Sequence, residues 1–137
     1  MVLEDLGAPP LAHRPRVLVV EGNPEMNGFI TQCLSRDYEV ISASDGRDGL
    51  DQAKRFRPAL IVTDIMAPHV SGVEMLETLR TIPELADTYV MLLSTKEEDE
   101  QLMLKLLADG ARDFIVKPFK PDSVIATLNK VLEKQEG

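Results

Sequence analysis

Four apolar runs in this chain each end in a polar residue. Glu21 follows Val17-Leu18-Val19-Val20, Asp64 follows Ala59-Leu60-Ile61-Val62-Thr63, Ser94 follows Tyr89-Val90-Met91-Leu92-Leu93, and Lys117 follows Phe114-Ile115-Val116. A carboxylate with a hydroxyl and an ammonium beside it is suited to extra negative charge, such as a phosphoryl group adds, because both neighbours give charge-assisted hydrogen bonds to its oxygens. Taken singly, Asp64 reads as a loop carboxylate, Ser94 as a turn residue and Lys117 as a solvated lysine. Their matching placement at the ends of successive runs is what points to one pocket.

Runs that are apolar throughout, rather than alternating, suit parallel strands covered by helices on both faces. The segments between them predict those helices. Asn23 caps the first and Pro24 takes its first position, where a missing N–H costs nothing. Met26, Phe29, Ile30, Cys33 and Leu34 then recur at helical spacing as one apolar face. A short second strand over residues 38–43 leads to a helix capped by Ser44, running through Asp48, Leu50, Ala53 and Phe56 and ending before Pro58. After the loop of residues 65–72, a third helix carries Val73, Leu76 and Leu79 and closes near Pro83. A fourth, over about residues 96–109, opens on Glu97, Glu98, Asp99 and Glu100, which suit the positive end of a helix dipole, and stops at Gly110. The last begins near Pro121, with Val124, Ile125, Leu128, Val131 and Leu132 inward. Five strand–helix repeats with short connections imply right-handed crossovers and an α/β domain with a parallel sheet. Such sheets bind ligands beyond the carboxyl ends of their strands, where the four polar residues fall.

At 137 residues the chain fits one domain that buries roughly two-thirds of its unfolded surface. Residues 1–15, with Gly7, Pro9, Pro10 and Pro15, read as a flexible tail or linker, and residues 16–135 as the domain. A net charge of −8 argues against a nucleic-acid surface, which needs clustered Lys and Arg. Cys33 is the only cysteine, which excludes a disulfide framework and a Cys-rich zinc site. Without an apolar run long enough for a membrane span and without a signal-peptide pattern, the expectation is a cytoplasmic protein. A small flavodoxin-like enzyme or nucleotide binder is disfavoured: no Gly-Lys-Ser/Thr ending and no Gly-x-Gly-x-x-Gly follows the first strand. His13 and His69 have no partner that the sequence places beside a nucleophile, and both read as surface residues.

Three stretches carry a resemblance: Asp64-Ile65-Met66-Ala67-Pro68 with Gly72, Leu92-Leu93-Ser94-Thr95, and the run from Gly110 to Phe119 that contains Phe114-Ile115-Val116-Lys117-Pro118. In this order, over about residues 16–135, the chain resembles the receiver domain of two-component response regulators. The resemblance implies a flavodoxin-like (βα)5 fold, a five-stranded parallel sheet of order 2-1-3-4-5 with helices on both faces. It implies a signalling module rather than an enzyme, with Asp64 as acceptor of a phosphoryl group from a phosphohistidine of a histidine kinase or phosphotransfer domain. Lys117 would pair with the phosphoryl oxygens, Ser94 would move to hydrogen-bond one of them, and Phe114 would turn inward as the aromatic switch. Mg2+ would be held by Glu21, Asp64 and the backbone carbonyl of Met66. The fourth helix, fifth strand and last helix would form the face for a homodimer or an output domain.

The chain also departs from that pattern. Receivers usually carry two adjacent acids after the first strand, and here the pair is Glu21-Gly22. A hard cation that wants near-octahedral oxygen ligands has lost one carboxylate, so weak Mg2+ affinity is expected. The loss opens a second reading, a pseudo-receiver that works as a protein-interaction module without phosphorylation. Ala67 stands where the family often has Met, and Met66, two residues past Asp64, would hinder an attacking water and prolong a phosphorylated state. In the fourth helix, Leu102, Met103, Leu104, Leu106 and Leu107 cover roughly 200° of arc, wider than the stripe of about 100° that a surface helix buries. Part of that face is expected to meet a partner or to stay exposed.

Overall fold

The computed structural model describes residues 14–65, 69–94, 100–108, 110–116, 126, 127, 129 and 130. Its strands are β1 (Arg16–Val20), β2 (Glu39–Ala43), β3 (Leu60–Asp64), β4 (Tyr89–Ser94) and β5 (Ala111–Val116). They form one sheet of order β2-β1-β3-β4-β5, parallel at every junction, as expected from the resemblance. The helices between them are α1 (Pro24–Leu34), α2 (Gly46–Phe56), α3 (Gly72–Thr81) and α4 (Glu100–Ala108), with a 3-10 turn at Pro83–Leu85.

The unbroken apolar runs have a direct structural cause. Neighbouring residues of one strand serve two separate cores. Leu18, Val20, Ile61, Val90 and Leu92 pack with Ala53 of α2, Met75, Leu76 and Leu79 of α3 and Leu106 of α4. Val17, Val19, Leu60, Val62, Met91 and Leu93 pack with Ile30 and Leu34 of α1. Both faces of the three central strands are thus out of water, so both parities of position favour apolar residues until the strands near their ends. Tyr38 donates its hydroxyl hydrogen bond to Asn129 Oδ1, which ties the start of β2 to the helical residues near the end of the chain.

Local chemistry sets the helix ends. Asn23 accepts from the Met26 N–H at 3.1 Å with Pro24 in the first turn, as expected. For α2 the cap is Asp45 and not Ser44: the Asp45 side chain accepts from the Asp48 N–H at 2.8 Å. Both residue types cap well, and spacing decided between them, since the helix starts only at Gly46. That glycine is required, because a Cβ there would stand 1.7 Å from the Val70 carbonyl oxygen in the loop after β3. A capping box starts α3, Ser71 accepting from the Glu74 N–H and Glu74 accepting from the Ser71 N–H.

Two apolar faces are narrower than their sequences suggest. Ile30 and Leu34, four residues apart, are the buried centre of α1, whereas Phe29 lies at the rim with 37% of its surface exposed. On α4, Leu106 is fully buried and Leu102 packs against the core, while Leu104 is 60% and Leu107 38% exposed. Where β4 and β5 begin, Arg80 donates to the carbonyls of Ala86, Thr88 and Gly110 at 2.8, 3.1 and 3.2 Å. One guanidinium so links α3 to the entry of β4 and to the turn into β5, where Gly110 takes a φ of 112°.

Candidate functional site

Register brings the polar strand ends together. Val20, the last residue of β1, pairs with Thr63, so Glu21 and Asp64 leave the sheet on adjacent strands. Asp64 in turn pairs with Leu93, which sets Ser94 at the tip of the next strand over. Ser94 pairs with Val116 of β5, and Lys117 is the residue that follows. Lys117 and Met66 lie outside the described residues; Phe114 is a β5 residue paired with Leu92.

The three described side chains differ in environment. Glu21 is almost wholly buried, with Oε1 accepting from the Asn23 N–H at 3.4 Å, and Asp64 is half-buried. Ser94 is fully buried, and its hydroxyl has no hydrogen-bond partner among the described residues. Thr63, also fully buried, donates from Oγ1 to the Asp64 carbonyl at 3.3 Å, which fixes the backbone behind the acid. The loop after β3 closes tightly on it: the Gly72 N–H donates to the Ile65 carbonyl at 2.8 Å, and a Cβ at Gly72 would come within 3.0 Å of the Asp64 carbonyl oxygen. In the same loop His69 adopts a left-handed φ of 67° and stands 4.0 Å from the Asp45 carboxylate.

Sequence reasoning missed one residue of this region. Asn27 on α1 reaches back to the tips of β1 and β2, where its Nδ2 donates to the carbonyls of Glu21 and Ala43, both at 3.1 Å. A lone polar residue on a helix gives no periodic signal, and only bookkeeping of unpaired carbonyls at strand ends would have found it. It lines a surface groove of about 420 Å3 together with Glu21, Gly22, Gly28 and Ser42.

As a metal site the donor set is right in kind and short in number. Two carboxylates on neighbouring strand tips are hard oxygen ligands of the type Mg2+ takes. No group of three His, Cys, Asp or Glu side chains able to hold a metal exists among the described residues. Gly22, where a further acid would stand, is exposed and contributes no side chain.

A parallel sheet of this order with an acid at the tip of its third strand is a known architecture, and comparison with known proteins agrees. The model of the response regulator receiver domain matches residues 17–129, and the chain belongs to that family. It is 46% identical over 125 residues to hybrid signal transduction histidine kinase D of Dictyostelium discoideum, covering 91% of this chain and 8% of that protein. Over 118 residues it is 29% identical to the chemotaxis protein CheY of Thermotoga maritima, covering 85% of this chain and 96% of that one. In three dimensions it superimposes on the chemotaxis response regulator CheY4 of Vibrio cholerae with a TM-score of 0.79 at 29% identity, over 86% of this chain and 98% of that one. The chain spans 8% of that kinase and 50% of the alkaline phosphatase synthesis regulator PhoP of Bacillus subtilis. Receivers are phosphoryl-accepting signalling modules that interact with histidine kinases or phosphotransfer domains and, as a family, bind Mg2+ at an acidic pocket, and this chain is a receiver of phosphoryl-based signal transduction. No helix among the described residues is long and apolar enough to cross a membrane.

Proposed function

We propose that Asp64 is the phosphoacceptor, with Ser94 and Lys117 as the groups that respond to the phosphoryl group and Phe114 as the switch that follows Ser94. A carboxylate oxygen of Asp64 attacks the phosphorus of a phosphohistidine in a partner kinase or phosphotransfer domain. The new P–O bond forms as the P–N bond breaks, and the bonding pair stays on the imidazole nitrogen. Ser94 then donates to one phosphoryl oxygen, and the Lys117 ammonium pairs with another.

The observation that carries this reading is the buried hydroxyl of Ser94. A buried hydroxyl without a partner costs about 1–3 kcal/mol relative to a bonded one. Held on the strand beside Asp64, it is a donor kept ready for an acceptor that arrives only with phosphorylation. Glu21, Asp64 and the Met66 carbonyl are the groups that would hold Mg2+. When bound, the ion supplies neutralisation of charge between the carboxylate and the phosphoryl oxygens. With Gly22 in place of a second acid, its affinity here is low. The exposed leucines of α4, Leu104 and Leu107, belong to the face for a second copy or an output domain.

Gly22 also favours a second reading, a pseudo-receiver that binds partners without being phosphorylated. A small phosphodonor with Mg2+ separates the two: the first reading predicts one added phosphoryl group by intact mass, and the second predicts none. The metal is tested by Gly22→Asp. Restoring a carboxylate tightens Mg2+ binding about tenfold by isothermal titration, an effect of roughly 1.4 kcal/mol. Equal affinity in the two proteins would remove Gly22 as the cause of a weak site.

A further inference from the structure

We infer that Asn27 is a positioning residue for Glu21, holding in place the acid that precedes Gly22. This inference rests on the reading of Glu21 as a ligand of the phosphoryl-transfer site.

The hydrogen bonds of Asn27 are complete. Its two amide hydrogens go to the carbonyls of Glu21 and Ala43, each at 3.1 Å, while Oδ1 accepts from Thr31 Oγ1 at 3.3 Å and from Ser42 Oγ. An Asn side chain has two donors and an oxygen with two lone pairs, so all of its capacity is used. The orientation is forced, since two carbonyls can only accept and two hydroxyls are free to donate. Ala43 at the end of β2 also accepts from the Glu21 N–H at 3.1 Å. The peptide groups on both sides of Glu21 are therefore fixed, one by β2 and the other by Asn27.

The need for that second anchor follows from the sequence. Val20 is the last residue of β1, and just past it the Glu21 carbonyl accepts from the side chain of Asn27. The next residue is glycine, the one with the widest backbone freedom, and rotation there swings the Glu21 carbonyl and shifts its side chain. A single carboxylate doing the work of two tolerates such movement poorly, because a near-octahedral hard cation is sensitive to ligand placement.

The test uses the full chain with Asn27→Leu, which keeps size and loses every bond, and with Asn27→Ser as a smaller variant should the first not fold. Thr31→Ala and Ser42→Ala remove only the bonds to Oδ1 and serve as controls. Amide hydrogen exchange without metal or phosphodonor is expected to rise at Glu21 and Gly22 in the Asn27 variants, with the β3 and β4 amides unchanged. The Mg2+ concentration for half-saturation, read by titration of the unphosphorylated protein, is expected to rise about tenfold, and less in the two controls. Unchanged exchange at residues 21 and 22, or unchanged half-saturation beside a wild type that binds Mg2+, overturns the inference. A wild type that neither binds Mg2+ nor accepts a phosphoryl group overturns instead the reading on which it rests.

Discussion

Ser94 and Asp64 stand on neighbouring strands and sit in opposite environments: the hydroxyl fully buried and unpartnered among the described residues, the carboxylate half-open. This makes an unusual prediction for a buried polar deletion. Ser94→Ala removes a group that is already unsatisfied, so folding stability should hold or rise by up to about 1 kcal/mol, whereas a hydroxyl with a partner would cost that much to delete. Urea unfolding measures it, and a loss above about 1 kcal/mol would mean that Ser94 is bonded after all. Glu21, Asp64 and Ser94 were legible in the sequence because each interrupts an apolar run, which marks the point where a buried strand surfaces. Asn27 was not, since its partners are main-chain carbonyls that every residue carries.

Among the elements, α4 separates core from surface within one turn. Leu106 is fully buried and Leu104 largely exposed. Leu106→Ala should cost about 2–5 kcal/mol through lost burial and the cavity left behind, and Leu104→Ser should stay within about 0.5 kcal/mol. Thermal or urea unfolding of the two variants checks both. A large loss for Leu104→Ser would show that α4 packs further into the core. The sequence announced an apolar arc too wide for one core contact, and the structure divides it. It could not divide it itself, because leucines at adjacent angles look alike until a sheet fixes which side is covered. The choice of Asp45 over Ser44 as the α2 cap was hidden for a similar reason: two good capping residues stand side by side, and the close approach of Gly46 to Val70, distant in sequence, selects between them.

For the molecule as a whole, the two cores share the same central strands, so neither face of the sheet survives without the other. Leu18 and Val19 are neighbours in β1 and belong to different cores. Unfolding should therefore be one cooperative transition, with far-UV circular dichroism and tyrosine fluorescence tracing the same urea curve. Two separated curves would mean that one helical layer detaches by itself. The parallel sheet with helices on both faces was readable because repeated strand–helix units leave few arrangements, while its strand order followed from the resemblance to receivers. Contacts such as the Arg80 bracket over Ala86, Thr88 and Gly110 were not, since they join segments that only the finished fold brings together.

The assignment of Asp64 as phosphoacceptor is tested most directly by exposing wild type and Asp64→Asn to a small phosphodonor with saturating Mg2+, then locating the added group by mass spectrometry of peptides. One base-labile phosphoryl group on the peptide that carries Asp64, absent from the variant, is the predicted result. Equal phosphorylation of the variant, or none in the wild type, would contradict it.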